Sequence, residues 1–416
     1  MTVQAILHKE TILRMDQVVK WYGGLTKDLA LPIYSSYDIR DAGYKIASVD
    51  ANIFPAGFNN ICPTDKEGAP AILQKFVKDH YGDVQKILLV TEEHTQNPYY
   101  WENVATLKEI CEQSGFAVKV GFPKPLAETV VVESLTGKRV EVISTTPEDL
   151  KKIGFTPDLV ICNNDFSMNY EDWVAANPFP MNPPSGLGWY QRTKSGHFKH
   201  YNQLANSFSE ILGTDPFCLT IETQAAEFDL ESESNRQELA QKVDAMLHSL
   251  SVAYEKRGIQ QKPFVFVKNN AGTYGLGVIK VSEGKEVLSW SYKSRKKMKA
   301  AKGGRDIESV IIQEGVPSVV LADGAAAEPV IYMIGCQLAG GFLRTHLEKD
   351  STESLNSPGA VYKKLCVSDL LVKPEGCPME NVYGWAARLG LLSIALEAKD
   401  MQVSFPSYRT MVGNCG

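Results

Sequence analysis

Between Phe264 and Ile279 an apolar run, Phe264-Val265-Phe266-Val267, ends in Lys268, passes through a glycine-rich loop and returns as a second apolar run from Val278. Glycine loops that offer a helix N-terminus to phosphates must open a helix, whereas here β-branched residues follow Gly277. The stretch therefore reads as a β-hairpin. Gly272, Gly275 and Gly277 let backbone N–H groups close over a polyphosphate without a Cβ in the way, and Lys268 adds a positive charge at the strand end. The expectation is a lid over ATP. Protein kinases also cover ATP with a glycine hairpin, but their lysine follows the loop, and no His-Arg-Asp or Asp-Phe-Gly run occurs here.

Upstream, helix-like and strand-like signals alternate: an amphipathic start over 6–21, strands at 44–49, 86–90, 117–120 and 159–162, and helices at 69–81 and 99–114. Segments 129–132 and 140–143 read as a peripheral hairpin. Such alternation points to an α/β layer. Residues 179–188 are crowded with Pro, Gly and Asn, which break helices and strands alike, so a boundary is expected near residue 180. Beyond it follow helices at 198–212 and 234–257 and strands at 218–222, 264–268, 278–281, 310–313 and 330–333.

A chain of 416 residues, 44% hydrophobic, can bury a large core, and its net charge of −6 gives no general attraction to polyanions. No nucleic-acid partner is expected, and the basic run Lys293–Lys302 reads as a solvated segment. The most apolar long stretch, 319–342, is interrupted by Asp323, Glu328 and Gln337, which does not suit a membrane span, and the first thirty residues show no export signal. Eight scattered cysteines without a CxxC pair read as reduced thiols in a cytoplasm.

A second constellation, Asp38, Arg40, Lys45, Asp50 and Asn52, packs acids, bases and amides into one short span. An α-amino acid needs a cation for its carboxylate and acceptors for its ammonium, and these residues supply both; an Asx-rich loop bonding its own backbone fits the spacing equally well. Asn163 and Asn164 follow a buried strand, where open α/β sheets bind ligands. Arg192 and Lys194 stand at the expected boundary, within reach of a substrate carboxylate or phosphate. His197 and His200 share a helical face without a third metal ligand and read as packing residues.

Taken in order, the elements from about Lys194 onward resemble the ATP-grasp superfamily. The resemblance implies that Lys199 and Lys268, with the lid glycines, hold the phosphates of ATP, and that Ile311–Val316 is the adenine hinge, with Gln313 and Glu314 at the nucleotide. It implies Glu314 or Glu328 at ribose or metal, Arg344 beside Lys268 against the charge of an acyl phosphate, and Asn356 with Glu328 as magnesium candidates. The late acidic residue followed two positions on by Asn is missing, with Glu348 or Glu353 as substitutes.

The run Tyr37-Asp38-Ile39-Arg40 and the string Asp50-Ala51-Asn52-Ile53-Phe54-Pro55-Ala56-Gly57-Phe58-Asn59-Asn60 are more specific. With Ile161–Ser167 and Gly188–Phe198 they resemble the proteobacterial-type glutamate–cysteine ligases over most of the chain. That resemblance implies an ATP-dependent enzyme joining the γ-carboxylate of L-glutamate to the amine of L-cysteine through an acyl phosphate, with Asn59 and Asn60 at the substrates. It also implies an N-terminal α/β, pre-ATP-grasp-like substrate-binding domain over 1–180 and a two-lobed ATP-grasp α+β domain over 181–416. Within the latter, 194–262 would be a helical connection, 263–315 the lid lobe and 316–416 the C-terminal lobe. The alternatives are another ATP-grasp ligase, such as a glutathione-synthetase-like enzyme, and a non-catalytic nucleotide-binding relative.

Overall fold

A computed structural model describes residues 2–93, 95–166, 170–229, 232–271, 277–290, 309–366, 371–372, 379–380 and 382–409. Gly272, Gly275, Ser167 and the run Lys293–Lys302 lie outside the described residues. The amphipathic start is two helices, Val3–Leu13 and Met15–Thr26, divided at Arg14. Strands β1 (Tyr34–Asp41) and β2 (Ile46–Asn52) then pair antiparallel around Gly43, whose φ of 78° suits a residue without a Cβ.

A second sheet follows, built from β3 (Lys86–Thr91), β4 (Ala117–Phe122), β5 (Val130–Glu133), β6 (Arg139–Ser144), β7 (Leu159–Asn163) and β8 (Met181–Asn182). Its order is β5-β6-β4-β3-β7-β8, parallel except for edge strand β5, which forms the expected hairpin with β6. β3 and β7 are buried along nearly their whole length, as parallel strands covered on both faces are.

After the helix Lys194–Leu212, strands β9 (Thr223–Glu227), β10 (Val265–Asn269), β11 (Val278–Val281) and β12 (Ser309–Glu314) make an antiparallel sheet in the order β11-β10-β12-β9. The pairing of β10 with β11 is the hairpin read from the sequence. The strand expected at 218–222 begins at Thr223 instead, because Pro216–Cys218 is a 3-10 turn capped by Asp215, whose carboxylate accepts the Phe217 N–H. One face of this sheet, with Val265, Val267, Val310 and Ile312, packs on the helix Glu233–Glu255 in a core of its own. Period-two alternation leaves Phe266, Lys268 and Gln313 on the other face.

The chain then returns to the first sheet with β13 (Leu321–Ala322), β14 (Ala325–Ile334), β15 (Gln337–Thr345) and β16 (Val361–Leu365), giving the order β16-β15-β14-β1-β2 with β13 beside β14. Strands from both sides of residue 180 thus share one sheet, and β8, just past it, extends the second. The closing helix Val382–Asp400 is buried on nearly every side against β1, β2 and the helix Lys194–Leu212. Gly390 permits that approach, since a Cβ there would meet the Tyr37 ring at 2.5 Å. Among the described residues no helix is long and apolar enough to cross a membrane.

The expectation of reduced thiols fails for three cysteines. Cys62 and Cys366, 304 residues apart, are disulfide-bonded, and so is Cys336. The fold brings the first pair to a Cα–Cα distance of 5.2 Å, within disulfide range, which no local spacing reveals. Cys111, Cys162 and Cys218 are free.

Candidate active site

Strand alternation turns the Asp38–Asn52 constellation into a surface. Asp38 and Asp50 lie directly opposite each other on β1 and β2, and the same row continues through Val330 on β14 to Phe342 on β15. A neighbouring row runs Asn52, Ser36, Tyr332, and another Glu328, Arg344, Tyr362. The span is therefore two strands rather than a loop, and Asp38, Arg40, Asp50 and Asn52 share one face because they recur at every second residue, while Lys45 falls outside that row. The register shifts between Asp38 and Ile39, a bulge of the kind that re-aims a side chain.

Two cavities lie on this face. The smaller spans about 650 Å³, partly open to solvent, between the β1–β2 pair and the free face of the β9–β12 sheet, and is lined by Arg40, Lys194, Phe266, Lys268, Gln313 and Glu314 among others. The larger, of about 2020 Å³, runs along the rows past Asn52, Asn59, Asn60, Tyr332 and Arg344. Among the described residues, only Asp38, Asp50 and Asn356 line both. A ligand in either cavity thus meets the other at two carboxylates and an amide.

The junction is dense in charge. The guanidinium of Arg344 donates to Asp38 Oδ2 at 2.7 Å and Oδ1 at 3.2 Å and to Glu328 Oε1 at 2.8 Å, while Arg40 Nε donates to Glu328 Oε2 at 2.5 Å. Lys194 Nζ pairs with Asp50. Burial alone would raise the Asp50 carboxyl, but Lys194 and Lys268 outweigh it and hold it below the usual range; Arg40 and Arg344 do the same for Glu328. Lys268 Nζ donates to the Val49 carbonyl at 3.2 Å, and Gln313 Nε2 donates to the same oxygen at 3.1 Å. Burial, reinforced by Lys194 and opposed by Asp50, pushes the Lys268 ammonium down to about 8.

The structure brings Asp38, Arg40, Asp50, Lys194, Lys268, Gln313, Glu314, Glu328 and Asn356 to the smaller cavity, and Asn52, Asn59, Asn60 and Arg344 to the larger. Gly277, at φ 62°, accepts the Asn269 N–H where the hairpin re-enters β11.

Five expected residues sit elsewhere. Lys199 is exposed and pairs with Asp400 at 3.6 Å; five residues past Lys194 it has turned to the far side of the helix. Lys45 is buried under the hinge, donating to both oxygens of Glu314 at 2.7 and 2.6 Å and covering the Phe217 ring. Arg192 is buried against Glu397 at 2.8 Å. Asn163 donates to the Pro55 carbonyl in the loop after β2 and Asn164 to the Thr91 carbonyl at the end of β3, so both amides brace backbone instead of lining a cavity.

Residues 8–398 match the family model described as GshA: Glutamate-cysteine ligase. The chain belongs to the glutamate–cysteine ligase family. It is 30% identical, at a TM-score of 0.82, to a crystal structure of a candidate gamma-glutamylcysteine synthetase from Methylobacillus flagellatus KT, with 95% of this chain and 96% of that one covered. A glutathione synthetase-like effector from Globodera pallida aligns at 10% identity and a TM-score of 0.36, covering 88% of this chain and 85% of that one. D-alanyl-alanine synthetase A from Vibrio cholerae aligns at 11% and 0.33, covering 76% and 81%; neither of these two likenesses carries weight. No curated protein matches the sequence.

The ligase is accordingly an ATP-dependent enzyme that joins the γ-carboxylate of L-glutamate to the amine of L-cysteine, on a mixed α/β fold. Sequence reasoning missed the aromatic lining that β14–β16 give its larger cavity, Tyr332, Phe342 and Tyr362. Tyr332 and Phe342 read as ordinary strand apolars, and only the cross-strand register reveals their shared face.

Proposed function

We propose that ATP occupies the smaller cavity and the two amino acids the larger, so that phosphoryl transfer and amide formation both take place at the Asp38–Asp50–Asn356 junction. The single observation behind this reading is that, among the described residues, the two cavities share those three and no others. Lys268, Lys194 and Arg40 face the triphosphate from the nucleotide side, with Gln313 and the hinge at the base. A γ-carboxylate oxygen of glutamate attacks the γ-phosphorus, an O–P bond forms, and ADP leaves. Arg344, reaching the junction from the amino-acid side, offsets the charge that gathers on the acyl phosphate. The neutral amine of cysteine then attacks the acyl carbon; the C–N bond forms, phosphate departs with the C–O electron pair, and the proton the amine gives up passes to the departing phosphate. Asp38 and Asp50 receive the ammonium groups while the substrates assemble. No protein nucleophile takes part, and the chain contributes by positioning and by excluding water.

Magnesium is the cation such chemistry employs, and the residues present do not form a ready site for it. Among the described residues, each acid lining the smaller cavity already has a cation: Asp38 has Arg344, Asp50 has Lys194, Glu314 has Lys45, and Glu328 has both arginines. The one described grouping of metal-like spacing, Cys62, Asp65 and Cys366, has both cysteines in a disulfide. Magnesium therefore belongs to this reading through the phosphates it accompanies, with the neutral amide of Asn356 as the protein donor, and no step above is routed through it. A cytoplasmic setting, where ATP and both amino acids are at hand, completes the proposal.

Glutamate labelled with ¹⁸O in its γ-carboxylate tests it. Turnover with cysteine and ATP should pass one labelled oxygen into the released phosphate; unlabelled phosphate would exclude the acyl phosphate. Product formation from γ-glutamylcysteine and glycine instead of glutamate and cysteine would move the substrate assignment to a glutathione-synthetase-like reaction.

A further inference from the structure

Two stretches of different chemistry stand out in the lining of the larger cavity, which also includes Asn97, Tyr99, Tyr100 and Trp189. One is the loop after β2, which presents the amides of Asn59 and Asn60 beside Asn52. The other is the β14–β16 end of the sheet, where the Phe342 ring packs against Tyr332 at 5.7 Å and against Tyr362 at 5.1 Å between centroids. The Tyr332 hydroxyl is committed to the Ala56 carbonyl at 2.6 Å. Cys62, just past Asn60, and Cys366, just past β16, tie the two walls together by a covalent bond.

We propose that the aromatic wall formed by Phe342, Tyr362 and Tyr332 receives the side chain of the cysteine substrate, and that the amide wall receives glutamate. This rests on the ligase reading given above and adds where each amino acid lies. Glutamate brings two carboxylates and an ammonium, all of which need polar partners, and the asparagine amides supply donors and acceptors together. Cysteine's side chain is one methylene and a soft thiol, which packs well on aromatic rings and bonds weakly to polar groups.

Distance along the sheet favours the same assignment. Asp38, at the junction, and Phe342 stand in one row with Val330 between them. Two strand spacings make about 10 Å. That is roughly the reach of a cysteine with its amine held at the junction and its sulfur on the ring, one contact distance being added at each end. Glutamate's longer side chain would overrun the row. Arg344 is on the same face of β15, two residues from Phe342 and directly opposite Tyr362, where it can meet a carboxylate of the molecule so placed.

Steady-state kinetics of the full chain, with cysteine, 2-aminobutyrate and serine as alternative acceptors, tests the assignment. Tyr362 is 44% exposed on strand β16, so Tyr362→Ala leaves the fold standing. The expected result is a rise of about tenfold in KM for cysteine and a fall of about tenfold in the preference for cysteine over serine, with KM for glutamate and for ATP unchanged. Phe342→Leu should move the same two quantities in the same direction. A rise in KM for glutamate alone would exchange the two walls and overturn the proposal. So would an equal rise in all three constants, which would make the wall architectural, or no change in any. If the wild-type chain releases no phosphate with glutamate and cysteine, the ligase reading itself falls, and this inference with it.

Discussion

Arg192 and Arg344 are both buried, at 1% and 7% exposure, and both are tied to carboxylates. Arg192 lies on the core side: its Nε donates to Glu397 on the closing helix, the Trp189 ring lies 4.9 Å from its guanidinium, and His197 is within 3.4 Å. Arg344 lies on the cavity face of the first sheet, between Asp38 and Glu328. The same chemistry therefore locks two packed elements together in one place and lines the larger cavity in the other. What separates them is which side of the β1–β2 layer the side chain enters, and a buried ion pair by itself says nothing about catalysis.

The largest effect should distinguish the two directly. Arg344→Ala is expected to lower kcat by about 10²–10³-fold, the usual cost of removing one charge-stabilising donor, in protein that still shows a cooperative melting transition. Arg192→Ala should do the reverse. It leaves Glu397 buried without its cation, at a cost of about 3–5 kcal/mol of stability read from urea unfolding, while the protein that remains folded turns over at close to the wild-type rate. Should the Arg192 variant lose turnover with its stability intact, the distinction between core and cavity arginine is broken.

Lys268 sharpens the picture through pH. Its ammonium is charged below about 8 and neutral above, and only the charged form attracts phosphate, so kcat/KM for ATP should hold at lower pH and fall by up to about tenfold per pH unit above that value. In Lys268→Ala this alkaline limb should vanish from the profile along with most of the activity; a limb that survives would belong to another group. The smallest effect is expected at Lys199. Lys199→Ala removes only an exposed pair with Asp400, and both the KM for ATP and the melting temperature should stay within error of the wild type.

Much of the scaffold was legible because strand and helix periodicities are local. The buried run at β3, the hairpin of β5 with β6, and the lysine-led hairpin of β10 with β11 all stand where alternation and turn residues place them. Lys268 could be singled out because a strand end is a local feature. Lys199 and Lys194 belong to one helix, and which of them meets the cavity depends on how that helix docks, which local sequence does not carry. Asp38 and Arg40 were weighed as a loop, although their spacing at every second residue is the sign of a strand face. Glu328 looked like a metal acid because nothing near it in the sequence announces the two guanidiniums that occupy its oxygens.

The order of residues along the chain determined the elements, the lid lysine and, through the long Phe-Pro-Ala-Gly-Phe-Asn-Asn string, the family, since each depends on neighbours a few positions apart. Tertiary structure decided which charges meet. Arg344 reaches Asp38 across 306 residues and Cys62 reaches Cys366 across 304, because antiparallel register joins β1 and β2 to strands from the far end of the chain. Pairing energies between strands are set by whole faces burying together, and no local run of residues carries that information.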